Sequence, residues 1–158
     1  MLDISFYCYA AKKLGLLLAS SLIRAQFINI IAEQIMGLPV SGVASTYSDF
    51  FINKMTASGD LYTHTAYTAA LLPRERWHAV PLGTKLKLTY QGRSVIVKVN
   101  DRGAGDGSMA RVLDLSRAAF AYLSDRPINA ITDKTAGLIT LQSIIVVPAS
   151  TLQGPVTP

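Results

Sequence analysis

The sequence predicts a small, mainly β domain with one short helix, preceded by a hydrophobic helical extension. Three observations predict this class. Short strand-like pieces are separated by loops rich in glycine and proline. Two neighbouring pieces alternate polar and apolar residues, which is typical of half-buried strands. A run rich in β-branched residues closes the domain. Five or six short strands with one helix suit a small barrel, although composition alone does not select that architecture.

The composition limits the classes of partner and cofactor. The chain has 158 residues, enough for one domain and a short extension, and a net charge of +5. Its Lys and Arg residues are scattered without a long basic run, so we predict no nucleic-acid partner. Cys8 is the single cysteine, which excludes an intrachain disulfide and a Cys-based zinc site. The spacing of His64 and His78 matches no metal motif. We therefore predict no metal and no other cofactor.

The N-terminus has the proportions of a secretory signal. Lys12 and Lys13 precede an apolar run at 14–23, which is shorter than the roughly 20 residues that span a bilayer. We expect residues 1–25 to be a signal peptide or an anchor and 26–41 a linker or helical extension. The protein would then be exported to the periplasm, cell envelope or medium. An uncleaved anchor or amphipathic helix stays open, because apolar residues continue at helical spacing beyond the run.

The first half of the domain begins where glycine, proline and serine cluster at 37–41. The segment 42–47 is predicted to be the first strand. Residues 48–61 contain Asn, Ser, Gly and Asp and are predicted to be a loop. A short strand at 66–72 and a polar insertion at 73–80 follow.

A hairpin is the clearest predicted unit. Residues 84–90 alternate polar and apolar side chains, Gln91 and Gly92 form a two-residue turn, and 93–100 return as a β-branched strand. The glycine-rich stretch 101–108 must be a loop.

The rest of the chain contains one helix and the last strand. A short extended piece at 111–114 leads to Ser116, which resembles a helix N-cap. The final strand is predicted at 137–147. The domain therefore spans 42–148, and residues 149–158 are expected to form a flexible tail.

Six short motifs then occur in a fixed order: Gly42–Tyr47, Thr56–Tyr62, Thr68–Ala70, Pro81–Thr84, Val99–Gly103 and Leu113–Ala119. In that order they resemble the rare-lipoprotein-A family. The resemblance implies a six-stranded double-psi β-barrel, related to expansin-like and barwin-like barrels. It also implies a septal-ring type of lytic transglycosylase, a lyase that acts on peptidoglycan.

This resemblance implies non-hydrolytic cleavage of the glycan strand, which gives 1,6-anhydro-muramyl ends. The alternative is a non-catalytic, expansin-like module that binds cell-wall glycan. The implied partner is the peptidoglycan glycan strand, and membrane contact is expected only through an uncleaved N-terminal segment. The chemistry needs no metal or organic cofactor. The sequence does not indicate an oligomeric state.

The resemblance places Asp101 as the catalytic acid and base. It follows a hydrophobic strand, and partly dry surroundings favour a protonated carboxyl, whereas the neighbouring Arg102 favours an ionised one. Alternatively, Asp101 accepts hydrogen bonds from loop amides and only shapes the turn. Asp60 stands where the family has Glu, and we expect it to assist catalysis with a carboxyl about one methylene shorter.

Asp114 matches an aspartate that matters in expansin-like barrels. We favour a structural role for it, as a helix cap together with Ser116. Tyr47 is expected either to stack on sugar or to be a core strand residue. The full set implied to bind substrate is Tyr47, Tyr62, Arg102, Trp77, His78 and Asp114.

The family pattern expects a histidine at the position of Leu71. His78 or His64 is the candidate to replace it, and without either the site lacks a polar partner. Trp77 beside His78 would make a sugar platform or anchor its loop.

Overall fold

A computed structural model of the chain describes residues 26, 29–30, 38–71, 80–103 and 111–157. The predicted signal segment 1–25 lies outside the described residues, as do Trp77 and His78. Within the described ranges, no helix has both the length and the apolar character that a bilayer span requires.

The described chain is mainly β, as predicted, with eight strands and one α-helix in the domain, and residues 26 and 29–30 ahead of it are also helical. The helix α1 comprises Arg117–Leu123, and two single 3₁₀ turns lie at Asp49–Phe51 and Ile128–Ala130. The strands are β1 Gly42–Thr46, β2 Thr68–Leu71, β3 Lys85–Tyr90, β4 Arg93–Arg102, β5 Arg111–Leu115, β6 Ile139–Leu141, β7 Ser143–Val147 and β8 Gly154–Val156.

The strands form one continuous sheet in the order β6-β1-β5-β2-β4-β3-β7, with β8 beside β4. β1 pairs with β5 and β2 pairs with β4 in parallel, while the other neighbours are antiparallel. The corner at Gln142 donates its N–H to the Thr89 carbonyl of β3, which brings the two ends of the sheet together. This nearly closed barrel with two parallel pairs confirms the predicted double-psi class, with two strands more than the expected six.

The predicted hairpin is confirmed as β3 and β4. Gln91 and Gly92 both have positive φ, 45° and 79°, which matches the twist of a tight two-residue turn. The apolar residues of the alternating pattern point into the barrel, where Leu86, Leu88 and Val95 are fully buried. Each such side chain contributes about 1.5–3 kcal/mol by burial.

The start of β1 requires a glycine. Gly42 has φ +148°, and a Cβ atom built there would lie 2.6 Å from Val112 Cγ1. Both the backbone angle and the close approach of β5 therefore exclude larger residues.

Ser116 stands at the N-cap of α1, as predicted, but its side chain makes no capping hydrogen bond. Its hydroxyl instead accepts a hydrogen bond from the Thr68 N–H at 3.2 Å, and its own N–H donates to the Thr68 carbonyl. These bonds fix α1 against β2, while Phe120 and Leu123 of the helix pack into the core.

The end of the chain differs from the predicted flexible tail. Residues 154–156 form β8, which pairs with Ser94–Ile96 of β4. β2 covers β4 only from Lys98 onward, so the earlier part of this long strand offers an unpaired edge. β8 fills that edge, and Gln153 Nε2 donates to the Tyr67 carbonyl at 2.7 Å.

Candidate active site around Asp101

Asp101 lies at the end of β4, where three segments of the chain meet at its carboxylate. Oδ2 accepts from the Tyr47 hydroxyl at 2.7 Å. Oδ1 accepts from the N–H groups of Ala57 and Arg102, both at 2.8 Å. These two amide contacts are the ones expected if Asp101 shapes the turn. Oδ2 accepts only from Tyr47 among the described residues, so it keeps capacity for a ligand.

The turn at 56–60 presents Ala57 to Asp101. It is closed by hydrogen bonds from the Thr56 N–H to the Asp60 carbonyl and from the Gly59 N–H to the Thr56 carbonyl, both 2.9 Å. Gly59 has φ +88°, a conformation that glycine adopts without strain. The Ser58 N–H donates to the Asn100 carbonyl at 2.9 Å, which docks the whole turn on the end of β4.

The same turn carries Asp60, the second predicted catalytic carboxylate. Its Oδ2 accepts from Lys98 Nζ at 2.6 Å and from Ser58 Oγ at 3.0 Å. The hydrogen bond from Lys98 is the main reason that the pKa of Asp60 lies below its ordinary value. Asp60 is therefore ionised at neutral pH and has no proton to donate.

Tyr47 and Tyr62 form a buried stacked pair behind Asp101. Their ring centroids are 4.3 Å apart, and the residues are only 7% and 2% exposed. Burial raises the pKa of both phenols, and the hydrogen bond to Asp101 raises that of Tyr47 further. Both remain neutral donors. Neither ring presents a face to a ligand. Of the two roles predicted for Tyr47, sugar stacking and core packing, the structure shows core packing, and Tyr62 is likewise buried away from any substrate.

His64 lies beyond this pair and is engaged on both ring nitrogens. Its Nδ1 contacts the Tyr62 hydroxyl at 2.9 Å, and its Nε2 contacts Asp49 Oδ1 at 2.8 Å. Asp49 also pairs with the buried Arg117 at 2.8 Å. The imidazole thus belongs to a network that supports the tyrosines, and none of its contacts reaches Asp101.

Leu71 borders the site from the neighbouring strand. It pairs with Arg102 in the β2–β4 register, and its carbonyl accepts from the Gly103 N–H at 3.1 Å. Its side chain is 1% exposed and belongs to the apolar core. The position at which the family pattern expects a histidine is therefore close to the Asp101 backbone but carries no polar group.

Arg102 and Asp114 make structural contacts. The Arg102 guanidinium donates to the Val80 carbonyl, and burial lowers the pKa of this side chain. Its direct contribution to Asp101 is the backbone N–H. Asp114 accepts from the Ser45 hydroxyl across the β1–β5 pair, where the two residues are in register. This hydrogen bond links β1 to β5. It takes the place of the helix cap predicted for Asp114, because Asp114 and Ser45 face each other across the parallel pair.

Sequence reasoning missed two exposed aromatic residues next to the site. Phe50 and Phe51 have ring centroids 5.4 Å apart in an edge-to-face arrangement. Phe50 is 69% exposed, and Lys54 Nζ lies 2.8 Å from its ring centroid. The available signal was two adjacent phenylalanines inside a polar loop. Among the described residues, no group of three or more His, Cys, Asp and Glu side chains could hold a metal ion.

Comparison with known proteins gives a consistent picture. A family model described as lytic transglycolase matches residues 40–142. The probable endolytic peptidoglycan transglycosylase RlpA of Synechocystis sp. is 40% identical over 80 residues, which is 49% of this chain and 22% of that protein. The endolytic peptidoglycan transglycosylase RlpA of Neisseria meningitidis serogroup A is 36% identical over 91 residues, 58% of this chain and 36% of that protein.

A solved structure is similar as well. The crystal structure of the apo expansin of Clavibacter michiganensis has a TM-score of 0.50 and 28% sequence identity, covering 69% of this chain and 50% of that one. The matched segment spans about a fifth to a third of the two curated relatives, so it corresponds to one part of those proteins.

Proposed function

The chain belongs to the lytic transglycolase family, and from this premise we propose that it cleaves peptidoglycan glycan strands without water and leaves 1,6-anhydro-muramyl ends. The observation that carries the proposal is the Asp101 carboxyl. It is oriented by Tyr47, Ala57 and its own strand, with one oxygen open to a ligand. A single well-oriented carboxyl group is what this reaction needs.

In the proposed reaction, Asp101 first donates a proton to the oxygen of the glycosidic bond. The bond between that oxygen and the anomeric carbon breaks while positive charge develops on the sugar. The 6-hydroxyl of the same sugar then attacks the anomeric carbon and returns its proton to Asp101. The carboxyl is regenerated, no water is consumed, and the product ends in an anhydro ring.

Two neighbours support these proton transfers. A phenol both donates and accepts hydrogen bonds, so Tyr47 can donate to ionised Asp101 and accept from protonated Asp101. Its raised pKa keeps the phenol proton in place throughout. Asp60 stays ionised and paired with Lys98, so it assists as a hydrogen-bond acceptor for the sugar and not as a second acid. Both roles are assigned from position and charge.

One observation favours a second candidate function. Leu71 is a buried apolar residue where the family pattern has histidine, which removes a polar group from the site. A barrel that has lost this group would still bind glycan, as an expansin-like module that does not cut. Glycan binding that survives Asp101→Asn, without any anhydro product, would identify this function.

We assign the catalytic unit to residues 42–156, which extends the expected domain 42–148 to include β8. The proposed substrate lies outside the cytoplasm, so residues 1–25 are assigned as a signal peptide or anchor. The proposed partners are glycan strands, with membrane contact only through that segment. The chemistry uses protons and carboxylates and requires no metal or organic cofactor.

The test is product analysis. The purified chain is incubated with peptide-free glycan strands, and the products are analysed by mass spectrometry beside Asp101→Asn. Asp125→Asn is the matched control, because Asp125 is exposed and pairs with Arg93. We expect anhydro-muramyl ends with the parent and the control only. Equal product from Asp101→Asn would remove Asp101 as the acid, and no product from the parent would contradict cleavage.

A further inference from the structure

The loop beside the candidate site carries an unusual concentration of exposed apolar side chains. Of the eleven large hydrophobic residues exposed in the described part of the chain, five lie within this one loop. A monomeric protein does not usually keep such a cluster without a binding role, because its exposure to water is unfavourable. The apolar loop surface is defined as Phe50, Phe51, Ile52, Met55 and Leu61.

This surface is preformed rather than loosely held. At its start, the Ser48 hydroxyl and the Asp49 N–H donate to the two carboxylate oxygens of Asp133, at 2.8 and 3.0 Å. Buried Arg117 lies between Asp49 and Asp133 and contacts each at 2.8 Å. At its end, Met55 and Leu61 pair across a β-bridge. Binding to such a surface loses little conformational entropy.

The surface is also linked to Asp101 through the buried ring of Tyr47. Phe51 packs edge-on against the Tyr47 ring at 5.6 Å between centroids, and the Tyr47 hydroxyl bonds Asp101. The same loop supplies the Ala57 N–H that fixes the other carboxylate oxygen. One loop therefore both carries the exposed phenyl rings and holds Asp101, which makes these rings the neighbouring aromatic contacts for an extended ligand bound at Asp101.

We propose that the apolar loop surface is a sugar-binding subsite, which holds pyranose rings of the glycan strand next to the bond at Asp101. This inference rests on the proposed function and adds the residues that position the strand. Pyranose rings have apolar C–H faces and polar edges. The loop has the complementary arrangement, because its exposed phenyl rings lie in sequence between the charged groups of Asp49 and Lys54. The ring of Phe50 has Lys54 over one face and Phe51 in edge-to-face contact, and the residue is still 69% exposed, so ring surface remains accessible to a sugar.

Charge argues against an anionic lipid surface as the occupant. Such a surface requires clustered basic residues around the apolar contact. Here the single cation Lys54 on the loop is accompanied by Asp49 and Asp60. The nearby cations Arg117 and Lys98 are paired with Asp49 and Asp60, so they add no clustered positive charge for anionic headgroups, whereas the hydroxyls of a glycan can donate to carboxylate oxygens.

The test uses Phe50→Ala with Phe50→Trp and Leu152→Ala as matched variants. Phe50 and Leu152 are both largely exposed, so none of these changes should disturb folding, and equal thermal unfolding confirms it. All are placed in the Asp101→Asn background so that binding is measured without cleavage. The probe is soluble peptide-free glycan oligomers, and the readout is the Kd. We expect Phe50→Ala to weaken binding about tenfold, since one aromatic contact face is lost. Phe50→Trp and Leu152→Ala should stay within about twofold of the parent.

The outcomes separate this subsite from the proposed function. If Phe50→Ala keeps the parent Kd while the Asp101 form still cuts glycan, the subsite is refuted and the cleavage function stands. If the parent neither binds nor cuts, both fail. Phosphatidylglycerol vesicles serve as a second probe. Vesicle binding that Phe50→Ala abolishes, with glycan binding unchanged, would also overturn the sugar assignment.

Discussion

The hydrogen bond between Tyr47 and Asp101 is the contact on which the proposed site depends most. Tyr47→Phe removes only the phenol oxygen and leaves the ring stacked on Tyr62. Asp101 keeps its two N–H donors, so its backbone position should not change. The variant therefore isolates one donor to one carboxylate oxygen.

The expected magnitude follows from the surroundings of the bond. A hydrogen bond contributes about 0.5–1.5 kcal/mol between neutral groups and about 1.5–3 kcal/mol when one group is charged, and Asp101 is only partly buried, so water replaces some of the loss. We expect the free energy of unfolding to fall by about 1.5 kcal/mol, which lowers Tm by roughly 3–6 °C for a chain of this size. If Asp101 is the acid, kcat should fall about tenfold with little change in KM.

The assay is a double-mutant cycle of Tyr47→Phe with Asp101→Asn, followed by thermal unfolding. We expect a coupling free energy of about 1 kcal/mol. Tyr62→Phe is the matched control in the same stack, because its hydroxyl contacts His64 and not Asp101. Its coupling with Asp101→Asn should be near zero. Equal coupling for both tyrosines, or none for Tyr47, would refute the reasoning.

Three further predictions follow from buried or crowded groups. Burial raises the pKa of Tyr47 and Tyr62 above the unfolded value of about 10, so only the unfolded chain loses these protons and stability declines as pH rises above about 10. Denaturant unfolding should show a total loss of about 1.4 kcal/mol for each phenol between about pH 9 and about pH 11, because the slope reaches its full value only near the upper end of this range, and a flat profile would contradict it. Arg117→Met should lower the free energy of unfolding, measured in urea, by about 1–2 kcal/mol. This is less than for a fully buried ion pair, because the carboxylate partners Asp49 and Asp133 are both half-exposed. An unchanged free energy of unfolding would show that these ion pairs do not hold the loop. Gly42→Ala should cost at least about 2 kcal/mol in the same assay, because the new Cβ meets Val112 and φ is positive; wild-type stability would contradict the close approach.

Local signals were sufficient for the parts of the fold that form between neighbours in sequence. The β3–β4 hairpin was predicted because the alternation of polar and apolar residues and the two-residue turn both occur within one continuous stretch of sequence. The pairing of β1 with β5 was not predicted from local signals, since the two parallel partners are far apart in the chain. β8 depends on the free edge that β2 leaves on β4, which no local pattern at 154–156 reveals.

In the candidate site, too, local motifs predicted some features, while others depend on contacts between distant parts of the chain. The motif resemblance singled out Asp101 and Asp60 as candidates, and in the structure the turn that carries Asp60 docks on the end of β4 that carries Asp101. Sequence could not show that Tyr47 is buried with only its hydroxyl reaching the site, because strand alternation does not say which surface a loop later covers. It also passed over Phe50, since an aromatic residue in a loop is ordinarily a packing residue.

The central claim is that one carboxyl group cuts the strand without water. The most direct measurement is digestion of peptide-free glycan strands by the purified chain in ¹⁸O-water, with mass spectrometry of the new ends. We predict ends that are one water lighter than a reducing sugar and contain no ¹⁸O, because the 6-hydroxyl of the sugar itself is the nucleophile. Reducing ends that carry ¹⁸O would show that water attacks, and would contradict the account.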